Sequence, residues 1–164
     1  MSKVAKGIIF LYFLIFGHIL TNTSDLPPNV YAASQTSWDF NTTGDTEGWT
    51  ATHVSSYSVS GGIFYIDPST ENDPYLTGPS ISVNASSYNA IRIKMASNAT
   101  DGTGAIYFKT STSSSFSESA KVSFRVSNHS LATNAPYSEY IVYMAGNSNW
   151  SGTIQNGRTR RASR

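Results

Sequence analysis

At 164 residues and without a cysteine, the chain has room for one domain after processing and can form neither a disulfide nor a thiolate site. Charged residues are 13% and aromatics 13%, with Ser, Thr, Asn and Gly filling much of the rest, which fits an exported β-protein with polar turns better than a cytosolic enzyme. The net charge of +1 hides a segregation: five basic residues stand against nine acids between 37 and 155, a body of −4, so the pI near 8 reflects the two ends and gives no support to a nucleic-acid partner.

Residues 1–32 read as a secretory signal. Lys3 and Lys6 form the positive start, Gly7 to Leu20 is an apolar run short for a membrane span, and Val30-Tyr31-Ala32 offers a small-residue cleavage motif. Cleavage leaves no stable span; an uncleaved anchor is the alternative, and both place the body outside the cell or on its surface. Residues 33–36 are a short linker, and 37–155 form the folded module.

The module opens on Trp38-Asp39-Phe40-Asn41, where the rings alternate with polar residues as on a half-buried strand. Gly44 and Gly48 bracket Asp45 and Glu47, and Trp49 restarts the apolar pattern, so a first hairpin with an acidic turn is expected. Further strands are read at 49–55, at 57–66 with a turn or bulge at Gly61-Gly62, at 75–80, broken by Pro79, and at 81–84. Then come 90–95, 105–110, 121–126, 140–144 and a short last strand around 153–155. No useful window carries helix periodicity. Short strands with turn signals between them argue an all-β, antiparallel two-sheet sandwich. Residues 156–164, with four arginines and one apolar side chain, read as a basic irregular tail.

In this order the residues resemble a family. Trp38-Asp39-Phe40 with Gly44-Asp45-Thr46-Glu47-Gly48-Trp49, Ser60-Gly61-Gly62, Asp73-Pro74-Tyr75-Leu76, Ile91-Arg92-Ile93-Lys94-Met95, Ile106-Tyr107-Phe108 and Trp150-Ser151-Gly152-Thr153-Ile154 follow one another as in jelly-roll, carbohydrate-binding-module-like domains of secreted bacterial polysaccharide-degrading and cell-surface proteins. The likeness spans about 37–154. Two departures stand out: Asn41 replaces an acid, and Gln155-Asn156-Gly157-Arg158 replaces the closing-strand pattern. The resemblance therefore implies a jelly roll lacking its closing strand, a fragment of a larger extracellular protein, with an open sheet edge available for self-association. A complete small protein with a basic tail is the alternative.

Catalysis finds little support. His53 and His129 are isolated, no Gly-x-Ser-x-Gly elbow occurs, and Glu118 and Glu139 are the one pair assignable as glycosidase carboxylates. The chain is read as non-catalytic. Asp39, Asp45, Glu47 and Asp73 are the candidate ligands of a structural calcium ion, since a hard cation takes several carboxylate and carbonyl oxygens; solvated turn acids are the alternative. Strand alternation sends Arg92, Lys94, Tyr107, Lys109, Arg125 and Tyr143 away from the core. If their strands share one sheet, rings and cations together suit a polysaccharide, above all an anionic one. A structural or adhesion spacer without sugar affinity, or a piece of a polysaccharide-degrading enzyme, are the other functions in view.

Overall fold

The computed structural model describes residues 8–17, 35–68, 73–97, 102–127 and 137–161, with the backbone alone for 8–17 and Arg161. Lys3, Lys6, the Val30-Tyr31-Ala32 motif, His129 and the last three residues lie outside them. Among the described residues, twelve strands form two antiparallel sheets. They are β1 (Ile8–Gly17), β2 (Ser37–Trp38), β3 (Thr50–Thr52), β4 (Ser56–Ser60), β5 (Ile63–Asp67), β6 (Tyr75–Thr77), β7 (Val83–Asn84), β8 (Tyr88–Ser97), β9 (Thr103–Thr110), β10 (Lys121–Arg125), β11 (Ser138–Tyr143) and β12 (Thr153–Arg161). A single 3-10 turn, Met144–Gly146, is the helical element among the described residues.

The first sheet runs β11-β8-β1-β5-β4, with β2 also on β1; the second runs β10-β9-β12-β6-β3, with β7 on β12. Alternation supplies the faces. On β8, Ile91, Ile93 and Met95 are buried, while Arg92 and Lys94 are half-buried on the other side. On β9, Ile106 and Phe108 are buried with Leu76, Ile154, Trp38, Phe40 and Phe64 in one hydrophobic cluster fed by both sheets. A void of about 10 Å³, the room for one water, lies in that cluster beside Trp38, Trp49, Ile106 and Trp150. That void is too small for a sugar.

Two expectations are corrected. The opening stretch is no hairpin: β2 joins the first sheet and β3 the second. The chain leaves the strand after Trp38 because Phe40 takes φ 55°, a left-handed conformation that costs a bulky residue energy. The compensation is burial. Trp38 meets Trp49 edge-to-face at 5.4 Å, and Phe40 meets Phe64 in the same way at 5.4 Å. Gly48 makes this crossing with φ 81°, and a Cβ there would stand 3.0 Å from Pro79 Cβ. Gly48→Ala is expected to lose about 1–3 kcal/mol from backbone strain, read as a lower urea midpoint at unchanged slope.

The second correction concerns the C-terminal side. The strand expected to stop at 155 continues to Arg161, so 156–161 is no irregular tail. Arg158 pairs with Tyr107 on β9 and Thr77 on β6, which makes β12 an interior strand of the second sheet. Gly157 and Thr159 turn one way and Arg158 and Arg160 the other, the same period two as elsewhere. β12 thus pairs with β9, β6 and β7 rather than with β2, the strand that opens the module.

Candidate functional site: a cationic sheet face

The six residues expected to form one stripe are divided between the sheets. Arg92 and Lys94 on β8 and Tyr143 on β11 belong to the first; Tyr107 and Lys109 on β9 and Arg125 on β10 belong to the second. Alternation fixes which face a residue takes, but not which strands become neighbours.

On the first sheet, Arg92 pairs with Glu139 at 3.5 Å. Tyr143 is 67% exposed and Ile141 51% exposed, both on the edge strand β11. The cations there are engaged: Arg92 has Glu139, and both Arg92 and Lys94 make further contacts.

The second sheet is different. Cross-strand pairing sets Lys121 opposite Tyr107, and Tyr107 opposite Arg158, on one face; Arg160 opposite Tyr75 extends it. Lys109 and Arg125 follow by alternation along β9 and β10. Among the described residues, five cations thus stand with two carboxylates, Glu118 and Asp73. Lys121 pairs with Glu118 and Arg160 with Asp73. Lys109, Arg125 and Arg158 have no carboxylate partner there. The Arg158 guanidinium lies 4.2 Å from the Tyr75 ring and 4.2 Å from the Phe116 ring, and Lys109 Nζ caps Phe116 at 4.6 Å. A cation over a ring is stabilised without being neutralised, so its charge stays available to a ligand. Arg158 Nε is buried and unpartnered, which leaves a donor unused.

Tyr107 does not serve as the stacking platform that alternation led us to expect. It is on the outer face yet only 7% exposed. Its hydroxyl donates to Glu118 Oε1 at 2.7 Å and accepts from Arg160 Nη1 at 3.3 Å. The ring supports a polar network and offers no open face to a sugar. Lys121, Tyr75, Phe116, Arg158 and Arg160 were absent from the expected stripe. The alternation of Asn156, Arg158 and Arg160 with Gly157 and Thr159 was the signal for the last two, masked by the lack of apolar residues.

Glu118 is held below the usual glutamate range, first by the Lys121 ammonium and then by the Tyr107 hydroxyl. A carboxyl whose folded-state pKa is depressed adds stability above its unfolded value and loses it as pH falls through the folded one. The melting temperature should therefore fall on acidification below the ordinary glutamate pKa, and Glu118→Gln should flatten that part of the Tm–pH curve. Equal slopes for the two proteins would show that the network contributes nothing.

Each of the four acids read as calcium ligands has a partner within the protein. Asp73, in the bend before β6, pairs with Arg160 of the second sheet. Asp45 Oδ1 accepts the Glu47 N–H at 2.8 Å, and Asp39 accepts from the Asn41 backbone and side chain. Glu47 Oε1 accepts the Phe40 N–H at 2.6 Å and the Asp39 N–H at 3.3 Å. These oxygens hold the strained crossing in shape. Among the described residues no three His, Cys, Asp or Glu side chains group as a metal site. Burial raises the Glu47 pKa, and the neighbouring Asp39 charge adds to the rise. Glu47→Ala is expected to cost about 1–3 kcal/mol because the part-buried Phe40 N–H loses its acceptor, whereas Glu47→Gln keeps one. A rise in melting temperature with millimolar calcium would support the cation reading, and no shift would leave these acids as solvated turn acids.

Of the two acids assignable as glycosidase carboxylates, Glu118, in the turn before β10, pairs with Lys121, and Glu139, on β11, pairs with Arg92. The chain matches no family model, no curated protein and no solved structure.

Proposed function

We propose that the chain is an exported, non-catalytic jelly-roll β-sandwich module, secreted or displayed at the cell surface, that binds an anionic polysaccharide on the outer face of its second sheet. The observation that carries the reading is the set Lys109, Arg125 and Arg158: three cations on one face, none with a carboxylate partner among the described residues, beside two that are paired. Lys and Arg offer several hydrogen-bond donors each and no acceptors, which suits carboxylates and sulfates along an extended polymer. From Thr103 to Lys109 the face runs about 20 Å at roughly 3.3 Å per residue, long enough for several contacts. Each exposed contact contributes on the order of 1 kcal/mol or less, so affinity has to come from several acting together. The capped rings of Tyr75 and Phe116 favour charge over stacking, which shifts the expected ligand away from neutral glucans.

Affinity electrophoresis against pectin, alginate, xylan and β-glucan tests this. Retardation by the uronic-acid polymers and free migration in neutral β-glucan is the expected pattern. Retention by β-glucan alone would overturn the anionic reading. Equal mobility in every gel would favour a structural spacer whose cations serve only solubility.

A further inference from the structure

In the first sheet β8 and β5 never pair with each other; each pairs with β1, which lies antiparallel between them. β1 meets β8 at nine register positions, from Ile8 opposite Ser97 to Gly17 opposite Tyr88. It meets β5 at three more and β2 at two. Two inter-strand spacings separate β8 from β5, about 10 Å, well beyond hydrogen-bond reach. Their core-facing residues are Ile91, Ile93 and Met95 on one side and Phe64 and Ile66 on the other, each no more than 4% exposed. The gap is therefore one strand wide, with hydrogen-bonding edges on both sides and an apolar floor.

The occupant of that gap is the run Ile-Ile-Phe-Leu-Tyr-Phe-Leu-Ile-Phe-Gly, the segment whose composition reads as the core of an export signal. Its β-branched and aromatic residues suit a central strand as well as they suit an h-region. One segment cannot do both at once. We propose that the body carries a one-strand acceptor slot between β8 and β5 whose occupant is Ile8–Gly17 of the same chain. While attached, the segment completes the first sheet; processing after Ala32 removes it and opens the slot. Strand addition of this kind is held by main-chain hydrogen bonds to both edges, with side-chain alternation setting the register. The cationic face lies on the other sheet, so this inference stands apart from sugar binding.

Hydrogen exchange on the full-length chain, produced without export so that residues 1–32 remain, tests the proposal. Amides of 8–17 should be slowed on the order of 100-fold or more over an unstructured chain, together with those of 63–67 and 88–97. Leu14→Pro, which removes a backbone donor from the middle of β1, should deprotect all three segments. Leu14→Val, which keeps both the donor and strand propensity, should leave them protected. Unslowed exchange at 8–17 beside a protected β8 and β5 would overturn the proposal. So would a first sheet unprotected throughout in the unmodified chain, since the segment would then fail to complete it.

Discussion

A chain that begins at Ala33 is expected to self-associate, or to melt far below the full-length chain. It lacks β1, and with it every backbone pairing that joins β8 to β5. At roughly 1 kcal/mol net per backbone hydrogen bond, losing even half a dozen approaches the 5–15 kcal/mol that holds a whole domain folded. The edges left behind are long and lead to an apolar floor, the arrangement through which unrelated chains pair. Scattering during size-exclusion chromatography and a melt of both chains check this. A monomeric chain from Ala33 melting within about 3 °C of the full-length protein would show that β1 adds nothing to stability.

The second large effect concerns charge. Lys109→Gln combined with Arg158→Gln should abolish retardation by a uronic-acid polymer, because it removes two of the three cations without a carboxylate partner. Raising the salt in the gel should weaken binding of the unsubstituted protein progressively. Between about 0.01 and 0.1 M the Debye length shrinks from roughly 30 to 10 Å, so contacts beyond the nearest charge stop adding. Arg158 also packs between Tyr75 and Phe116, so loss of folding is a competing explanation. Lys109→Gln combined with Arg125→Gln avoids that contact, since Arg125 is exposed, and should lose most of the retardation with an unchanged melt. Retardation that persists in both variants, or that ignores salt, would remove the electrostatic basis of binding.

Much of this was legible in the sequence, and the limits have physical causes. Period two on β8, β9 and β10 showed which side chains leave the core, because alternation is a local property of an extended chain. It could not show that β8 and β9, consecutive in the chain, lie in different sheets. That depends on pairings between distant segments, and it divided Arg92, Lys94 and Tyr143 from Tyr107, Lys109 and Arg125. Phe40 illustrates a second limit. Its place in the core was readable from Trp38 two residues before, but the left-handed backbone that takes it there is set by Glu47 accepting its N–H. At 156–161 the strand is built from Asn, Gly, Arg and Thr. Apolar alternation is silent where one face is charged and the other is made of Gly and Thr. The run Ile8–Gly17 is the reverse case: a strong signal compatible with two environments, a bilayer and a sheet, which composition does not separate.

The most direct measurement is a comparison of the two faces in one experiment. Lys109→Gln/Arg125→Gln on the second sheet and Arg92→Gln/Lys94→Gln/Tyr143→Ala on the first would be run side by side in a polygalacturonate gel, with melts to confirm folding. The second-sheet variant should lose most of its retardation, while the first-sheet variant should be held back as strongly as the unsubstituted chain. Loss of retardation in the first-sheet variant, with the second-sheet variant still retained, would place the binding surface on the opposite side of the molecule and contradict a polysaccharide site built on Lys109, Arg125 and Arg158.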